Sequence, residues 1–227
     1  MADGRDIATL TSRYETFWQK IVALTGGKVG AKSNKNPFSV ILSDSNDCVD
    51  VSTRRPLELM GAKSRPDARS RESYRVALDM QCTVRSGAER DYELERCTVR
   101  VLWLSTDAGR DVRPKALRGL HFDYEESKDH HPVFHAQVNE GVIESVDCER
   151  APGPGMGTPR IPTAPMDLCG AIYMLLHDHY SSEVKQGWPE NCRDVVGGLP
   201  RLPSTAFQEH VGDSLMDCVW WYPKHRR

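Results

Sequence analysis

From Leu117 to Val138 polar and apolar residues alternate on both sides of a charged link, and no other stretch limits the fold of this chain so sharply. Period-two alternation is the pattern of a strand with one face buried and the other wet. Leu120, Phe122 and Tyr124 share one parity, and His121 and Asp123 the other. On the return, Phe134, Ala136 and Val138 fall on one face, and Val133, His135 and Gln137 on the opposite one. A hairpin that closes symmetrically across the link brings His121, Asp123, His135 and Gln137 onto one face. They form the densest group of ionisable side chains that spacing alone places together.

The preceding stretches carry the same period. Tyr74 to Arg85 and Tyr92 to Leu104 read as two long strands joined by a turn at Ser86 to Glu89, with Val76, Leu78, Met80, Cys82 and Val84 alternating cleanly. In the second strand Val99, Val101 and Trp103 face one way and Leu102 and Leu104 the other, so both faces are partly covered near its end. Phe38 to Ser43 reads as a further short strand, and Asp107 to Pro114 as a loop. The middle of the chain is expected to be a four- to five-stranded, mainly antiparallel meander.

Helices are expected at both ends. Ile7, Leu10, Tyr14, Phe17, Trp18, Ile21 and Leu24 recur at steps of three and four, a single apolar stripe that Gly26 and Gly27 terminate. Asp167 is placed to cap a helix carrying Leu168, Ile172, Leu175, Leu176 and Tyr180, running to about Val184. Ser204 or Thr205 caps a last helix with Phe207, Val211, Leu215 and Cys218 as its stripe, Thr205 and Gln208 being spaced as a capping box. Between sheet and helices, residues 149–166 alternate proline with glycine. The first half of that segment reads as mobile, the second as an extended stretch docked on the sheet. The expected fold is a single α+β domain over residues 1–227: an N-terminal helix (1–27), the antiparallel sheet (38–148), the Pro/Gly segment (149–166), and two C-terminal helices (167–227) packed on one face.

Composition narrows the function classes. A chain of 227 residues with 39% hydrophobic residues buries a real core, and a net charge of −2 carries no global attraction to nucleic acid or anionic lipid. The N-terminus has neither a basic start nor an apolar run, and no stretch approaches the ~18–20 apolar residues that cross a bilayer. The expectation is a cytoplasmic protein with no membrane association. The seven cysteines form no Cys-x-x-Cys pair, which argues against a zinc knuckle or a disulfide framework. Cys82, Cys97 and Cys218 sit among apolar neighbours and are expected to be buried thiols.

Three chemical readings attach to the hairpin. His121, Asp123 and His135 have the composition of a 2-His-1-carboxylate site for zinc, manganese or iron. The two histidines equally suit a proton acceptor and donor for cleaving a phosphodiester, with Asp123 orienting a ring. The third reading is a structural polar pair beneath the proline segment. Residues 53–75 are strongly basic, so Arg54, Arg55 and Arg65 are candidate phosphate or nucleic-acid contacts, with Gln137 and Arg160 as further binding candidates. His177 and His179 lie about 200° apart on their helix, so at most one of them can join the hairpin site. The loop at residues 28–37 lacks the Gly-Lys-Ser/Thr order of a phosphate loop, and Glu93 with Glu95 lacks the lysine of a nuclease set.

Three motifs carry a resemblance: the stretch His121 to Tyr124, the run His131 to Gln137, and the run Pro159 to Leu168. Over residues 118–180 the chain resembles a group of bacterial proteins found in defence or mobile-element operons, a group with no assigned activity. That resemblance implies that hairpin, proline stretch and helix form one unit with Asp167 at the helix start, and it supplies no catalytic residue. The leading expectation is a non-enzymatic accessory or interaction subunit of a bacterial conflict system, with a protein partner. A metal-dependent or His-based phosphodiesterase or ribonuclease using His121, Asp123 and His135 is the alternative.

Overall fold

Nine strands form one sheet in which every pairing is antiparallel: β1 (Val29–Gly30), β2 (Phe38–Leu42), β3 (Cys48–Thr53), β4 (Leu57–Lys63), β5 (Ser73–Ser86), β6 (Tyr92–Ser105), β7 (Ala116–Glu125), β8 (Phe134–Val138) and β9 (Ile161–Pro162). Among the described residues two helices, α1 (Gly4–Leu24) and α2 (Leu168–His179), join the sheet in an α+β fold. The structure is a computed structural model and describes residues 2–25, 29–30, 36–44, 47–63, 73–86, 92–106, 113–125, 134–138, 143–150, 161–162, 166–179 and 199–200.

The β5–β6 hairpin is the centre. Both arms are 14 residues long, and their register runs from Tyr74 opposite Ser105 to Ser86 opposite Tyr92. On the flank of β5 away from β6, two strands lie end to end. β3 covers its C-terminal half (Gln81–Arg85) and β4 its N-terminal half (Ser73–Leu78), with Pro56 in the turn between them. On the other side β6, β7, β8 and β9 pair in succession.

Alternation sorts the two faces. One carries Val49, Val51, Val76, Leu78, Met80, Cys82, Val99, Val101, Phe122, Tyr124 and Ala136, all buried in a single core with α1 and α2. From α1 come Leu10, Tyr14, Phe17, Trp18 and Ile21. The helix begins with a capping box. Asp3 accepts from the Arg5 and Asp6 amides, and Asp6 accepts from the Asp3 amide. Asp6 also accepts from the Tyr92 hydroxyl at 2.9 Å, so the first turn of α1 is pinned to the start of β6. The C-terminal Thr25 hydroxyl donates to the Ile21 carbonyl. In α2, Leu168, Ala171, Ile172, Leu175 and Leu176 are buried, and Asp167 Oδ1 accepts from the Gly170 amide at 2.8 Å, as an N-cap should.

The second face is polar over its upper part and apolar below. There Ala77, Leu102, Leu104 and Ala116 form a small separate core with Ile143 and Cys148. The 143–150 segment is held in place by a bridge between Lys115 and Glu149, and by Arg150 Nη2, which donates to the carbonyls of Ile143, Glu144 and Val146. Leu102 and Leu104 are therefore buried on the face opposite Val99 and Val101, as the double-sided pattern in β6 requires. The lower half of the second face is covered, and the upper half is left as an open polar surface.

Several expectations need correction. Among the described residues the sheet has nine strands rather than four or five, the additional ones being β1, β3, β4 and β9. β4 lies inside the strongly basic 53–75 stretch, and its register slip between Leu59 and Ala62 breaks the alternation that would mark it as a strand. The last helix, the reach of α2 to Val184, Cys218, Arg65 and the glycines after α1 lie outside the described residues. The extended segment does dock on the sheet, with Ile161 opposite Ala136 and Pro162 opposite His135. No helix among the described residues is long and apolar enough to cross a membrane.

Candidate functional site

Register assembles the polar face in three rows. Asp50, Thr83 and Arg96 form one; Ser52, Gln81, Thr98, Asp123 and His135 the next; Asp79, Arg100, His121 and Gln137 the third. Residues opposite one another in an antiparallel ladder point to the same side, so side chains of all three rows share one surface. Most of them line an open groove of about 470 Å³ that runs from Asp50 to His121 and Asp123; Asp79, His135 and Gln137 are not among its lining residues.

The hairpin closes in the symmetric register, with His121 opposite Gln137 and Asp123 opposite His135. Asp123 is the hub of the group. Its Oδ1 receives His121 Nε2 at 2.9 Å and the Thr98 hydroxyl at 2.6 Å, and its Oδ2 lies 3.4 Å from His135 Nε2. Burial acts to raise the Asp123 carboxyl. Hydrogen bonds from His121, His135 and Thr98, with the charge of His121, outweigh it and hold the group well below the usual carboxylate range. An ionised carboxylate only accepts, so each imidazole presents an Nε2–H to it. When its ring is neutral, His121 has its Nδ1 lone pair on the side away from Asp123. His135 is buried, with 3% of its side chain accessible.

This arrangement bears on each chemical reading. A 2-His-1-carboxylate metal site needs the lone pairs of three side chains to converge on one point. Here both Nε2 atoms are directed at the carboxylate instead, and among the described residues no group of three His, Cys, Asp or Glu side chains is disposed to hold an ion. A two-histidine proton relay needs both rings in reach of a substrate, whereas only His121 lines the groove. A structural role for His135 predicts a stability cost. His135→Ala should lower the unfolding free energy by about 2 kcal/mol, through the emptied volume and the lost hydrogen bond. Urea denaturation measures this, and an unchanged midpoint would restore His135 to the list of reactive groups.

Two neighbouring pairs stiffen the floor. Arg100 Nη1 meets Asp79 Oδ2 at 2.9 Å, and the Thr53 hydroxyl donates to the other oxygen of Asp79. In the first row the Thr83 hydroxyl donates to Asp50 Oδ1 at 2.8 Å and accepts from Arg96 Nη2 at 3.3 Å. Arg96 lines the groove, forms no ion pair with any described residue, and has guanidinium donors beyond the one given to Thr83. No aromatic ring apart from the His121 imidazole is among the described lining residues.

Of the residues singled out from sequence, His121, Asp123, His135 and Gln137 come together. Arg54 and Arg55 do not join them. They sit in the β3–β4 turn, three strand spacings or about 14 Å from β7, and Arg54 Nε is bound to the Phe38 carbonyl at 2.9 Å. Arg65 and Arg160 are outside the described residues. His179 belongs to the opposite face, where its Nε2 accepts from Trp103 Nε1 at 2.9 Å, so α2 offers it no path to the hairpin site. Burial pushes the Cys82 thiol up to about 12 and raises Cys97 as well, so neither supplies a thiolate near neutral pH. The residues that spacing missed are Asp50, Asp79, Gln81, Thr83, Arg96, Thr98 and Arg100. The signal was present in β5 and β6, where polar residues alternate with the apolar ones used to identify the strands.

Comparison with known proteins returns no match: no family model, curated protein or solved structure matches the chain. The reading of function rests on the site itself.

Proposed function

We propose that the chain is a non-enzymatic interaction subunit whose open sheet face holds a polar segment of a protein partner. The observation that carries this reading is the burial of His135. Among the described residues, the one histidine placed to complete an acid–base pair with His121 is tied into Asp123 and does not line the groove. The surrounding groups support it, because Asp79, Asp123 and Asp50 each have a hydrogen-bond partner, as in a preorganised recognition surface. Arg96 has donors to spare and is the anchor for an acceptor-rich partner segment, such as a carboxylate side chain or a chain of backbone carbonyls. A place in a bacterial defence or mobile-element system rests on the sequence resemblance alone.

The test is affinity purification from the native host with wild-type protein and Arg96→Glu in parallel. A partner retained by wild type and lost from Arg96→Glu is the expected result. Arg96 is exposed, and its folded stability should stay within about 0.5 kcal/mol. A chain that retains no partner, or a partner indifferent to the substitution, ends this reading.

Cleavage of a phosphodiester is the second reading, and the Nδ1 of His121 favours it. Asp123 fixes the Nε2–H tautomer, which leaves Nδ1 as a base beside Arg100, its cross-strand partner. Under this reading His121→Ala abolishes hydrolysis of a phosphodiester substrate with little change in melting temperature. Hydrolysis that survives in His121→Ala excludes it.

A further inference from the structure

Among the described residues the outer edge of β2 has no partner strand, and its backbone is complementary to itself. In the β2–β3 ladder the Pro37 carbonyl accepts from the Arg54 amide at 2.8 Å, and the Ser43 amide donates to the Cys48 carbonyl at 3.0 Å. With Phe38 opposite Thr53 and Leu42 opposite Val49, the odd-numbered residues of β2 form the hydrogen-bonded pairs. The N–H and C=O groups of Phe38, Val40 and Leu42 therefore face away from β3. Phe38 is satisfied locally, its amide donating to Asn36 Oδ1 at 3.0 Å and its carbonyl accepting from Arg54 Nε at 2.9 Å. Val40 and Leu42 pair with no strand among the described residues. The strand holds no charge and no proline, and Ile41 and Leu42 are 57% and 48% exposed. Sheet edges that stay solitary are blunted by lysine, proline or a bulge. This one has none of them.

We propose that a second copy of this chain occupies the edge, the two β2 strands running antiparallel about a two-fold axis at Ile41. In that register Val40 lies opposite Leu42 of the second copy and Leu42 opposite its Val40. The free amides and carbonyls of the two residues then close a symmetric set of inter-chain hydrogen bonds and call on no other group. A register centred on Val40 would require the amide and carbonyl of Phe38, which are already engaged. Ile41 meets its own counterpart in a non-hydrogen-bonded pair, the closer type of cross-strand contact. Asp44, just past the strand, comes opposite Phe38 of the second copy and beside the Arg54 bound to that carbonyl. Asp44 and Arg54 are both exposed, so two equivalent charge pairs flank the axis. Donors, acceptors, apolar surface and charge all match themselves, which points to a second copy as the partner at this edge. The contact is isologous, leaves the polar groove open and stands apart from the proposed use of that groove.

The test is the solution mass of the full-length chain across a concentration series. Wild type should rise from 25.6 kDa towards twice that mass. Ile41→Lys sets like charges across the axis, and Leu42→Pro removes an outward donor without touching the β2–β3 ladder. Both should stay monomeric, with circular dichroism and melting temperature close to wild type. Ile41→Cys would bring two Cα atoms to about 4.5 Å, inside the disulfide range, so oxidised glutathione should convert it to a covalent dimer that wild type and Ser39→Cys do not form. A wild type that is monomeric at every concentration overturns the proposal, and so does a dimer indifferent to Ile41→Lys. If Leu42→Pro fails to fold, the two Ile41 variants decide, and an Ile41→Cys dimer that does not cross-link overturns the register.

Discussion

Replacing Phe38 with alanine should lower the unfolding free energy by about 4 kcal/mol, within the range for emptying a buried aromatic site. Phe38 is 1% exposed, and its ring centroid lies 5.0 Å from that of Tyr14 and 6.4 Å from that of Trp18. It is the point where the broad aromatic face of α1 meets the first long edge of the sheet. The cavity would open between helix and sheet, where neither element can collapse without breaking its own hydrogen bonds. In a domain of this size each kcal/mol moves the melting temperature by roughly 2–4 °C, so a fall of roughly 8–16 °C is expected. Thermal melts followed by Trp fluorescence would show it. A loss below about 1 kcal/mol would mean that α1 contributes little to holding β2.

Asp123→Asn should cost about 3 kcal/mol at neutral pH. The amide keeps the shape of the carboxylate but gives up one acceptor, turns an N–H group toward an imidazole N–H, and removes the charge that both histidines meet. The pH dependence distinguishes this cause from simple loss of packing. The folded carboxyl lies below its unfolded value of about 3.9, so its stabilising contribution is fully present above that pH and is lost as pH falls through the folded value. The gap between wild type and Asp123→Asn should therefore be full at pH 7 and narrow as pH drops below about 4. Urea midpoints for the two proteins at a series of pH values test this, and a gap that stays constant with pH would assign the loss to packing alone.

The hairpin was legible because both of its determinants are local. Alternation fixes the face of each residue, and a symmetric closure fixes which residues meet. The polar parity of β5 and β6 puts Asp79, Gln81 and Thr83 on one face of β5 and Arg96, Thr98 and Arg100 on one face of β6, but the slip of register between Thr83 and Val84 hides from the sequence which of them meet. β4 was hidden because the slip between Leu59 and Ala62 disrupts its period, and its flanking arginines made the whole segment look solvated. The burial of His135 was illegible for a different reason. Both hairpin strands present a histidine to the same face, and only His135 is flanked by β9, a strand that comes from far along the sequence. The separation of Arg54 from the site follows from β5 and β6 standing between β3 and β7, an order that no local pattern encodes.

The end-to-end placement of β3 and β4 against a single long β5 has a consequence for how the molecule opens. β5 is hydrogen-bonded on both sides along most of its length, to β6 on one flank and to two strands in tandem on the other. Fraying of β4 with β1, or of β3 with β2, would leave the other pair and the β5–β6 hairpin in register, so each half of that flank can unzip alone. Amide hydrogens of β5 that are bonded to β6 should then exchange only by global unfolding, while those of β1 and β2, and those of β5 bonded to β3 or β4, exchange by separate, smaller openings. The chain should behave as one thermodynamic domain with two independent hinges at its rim.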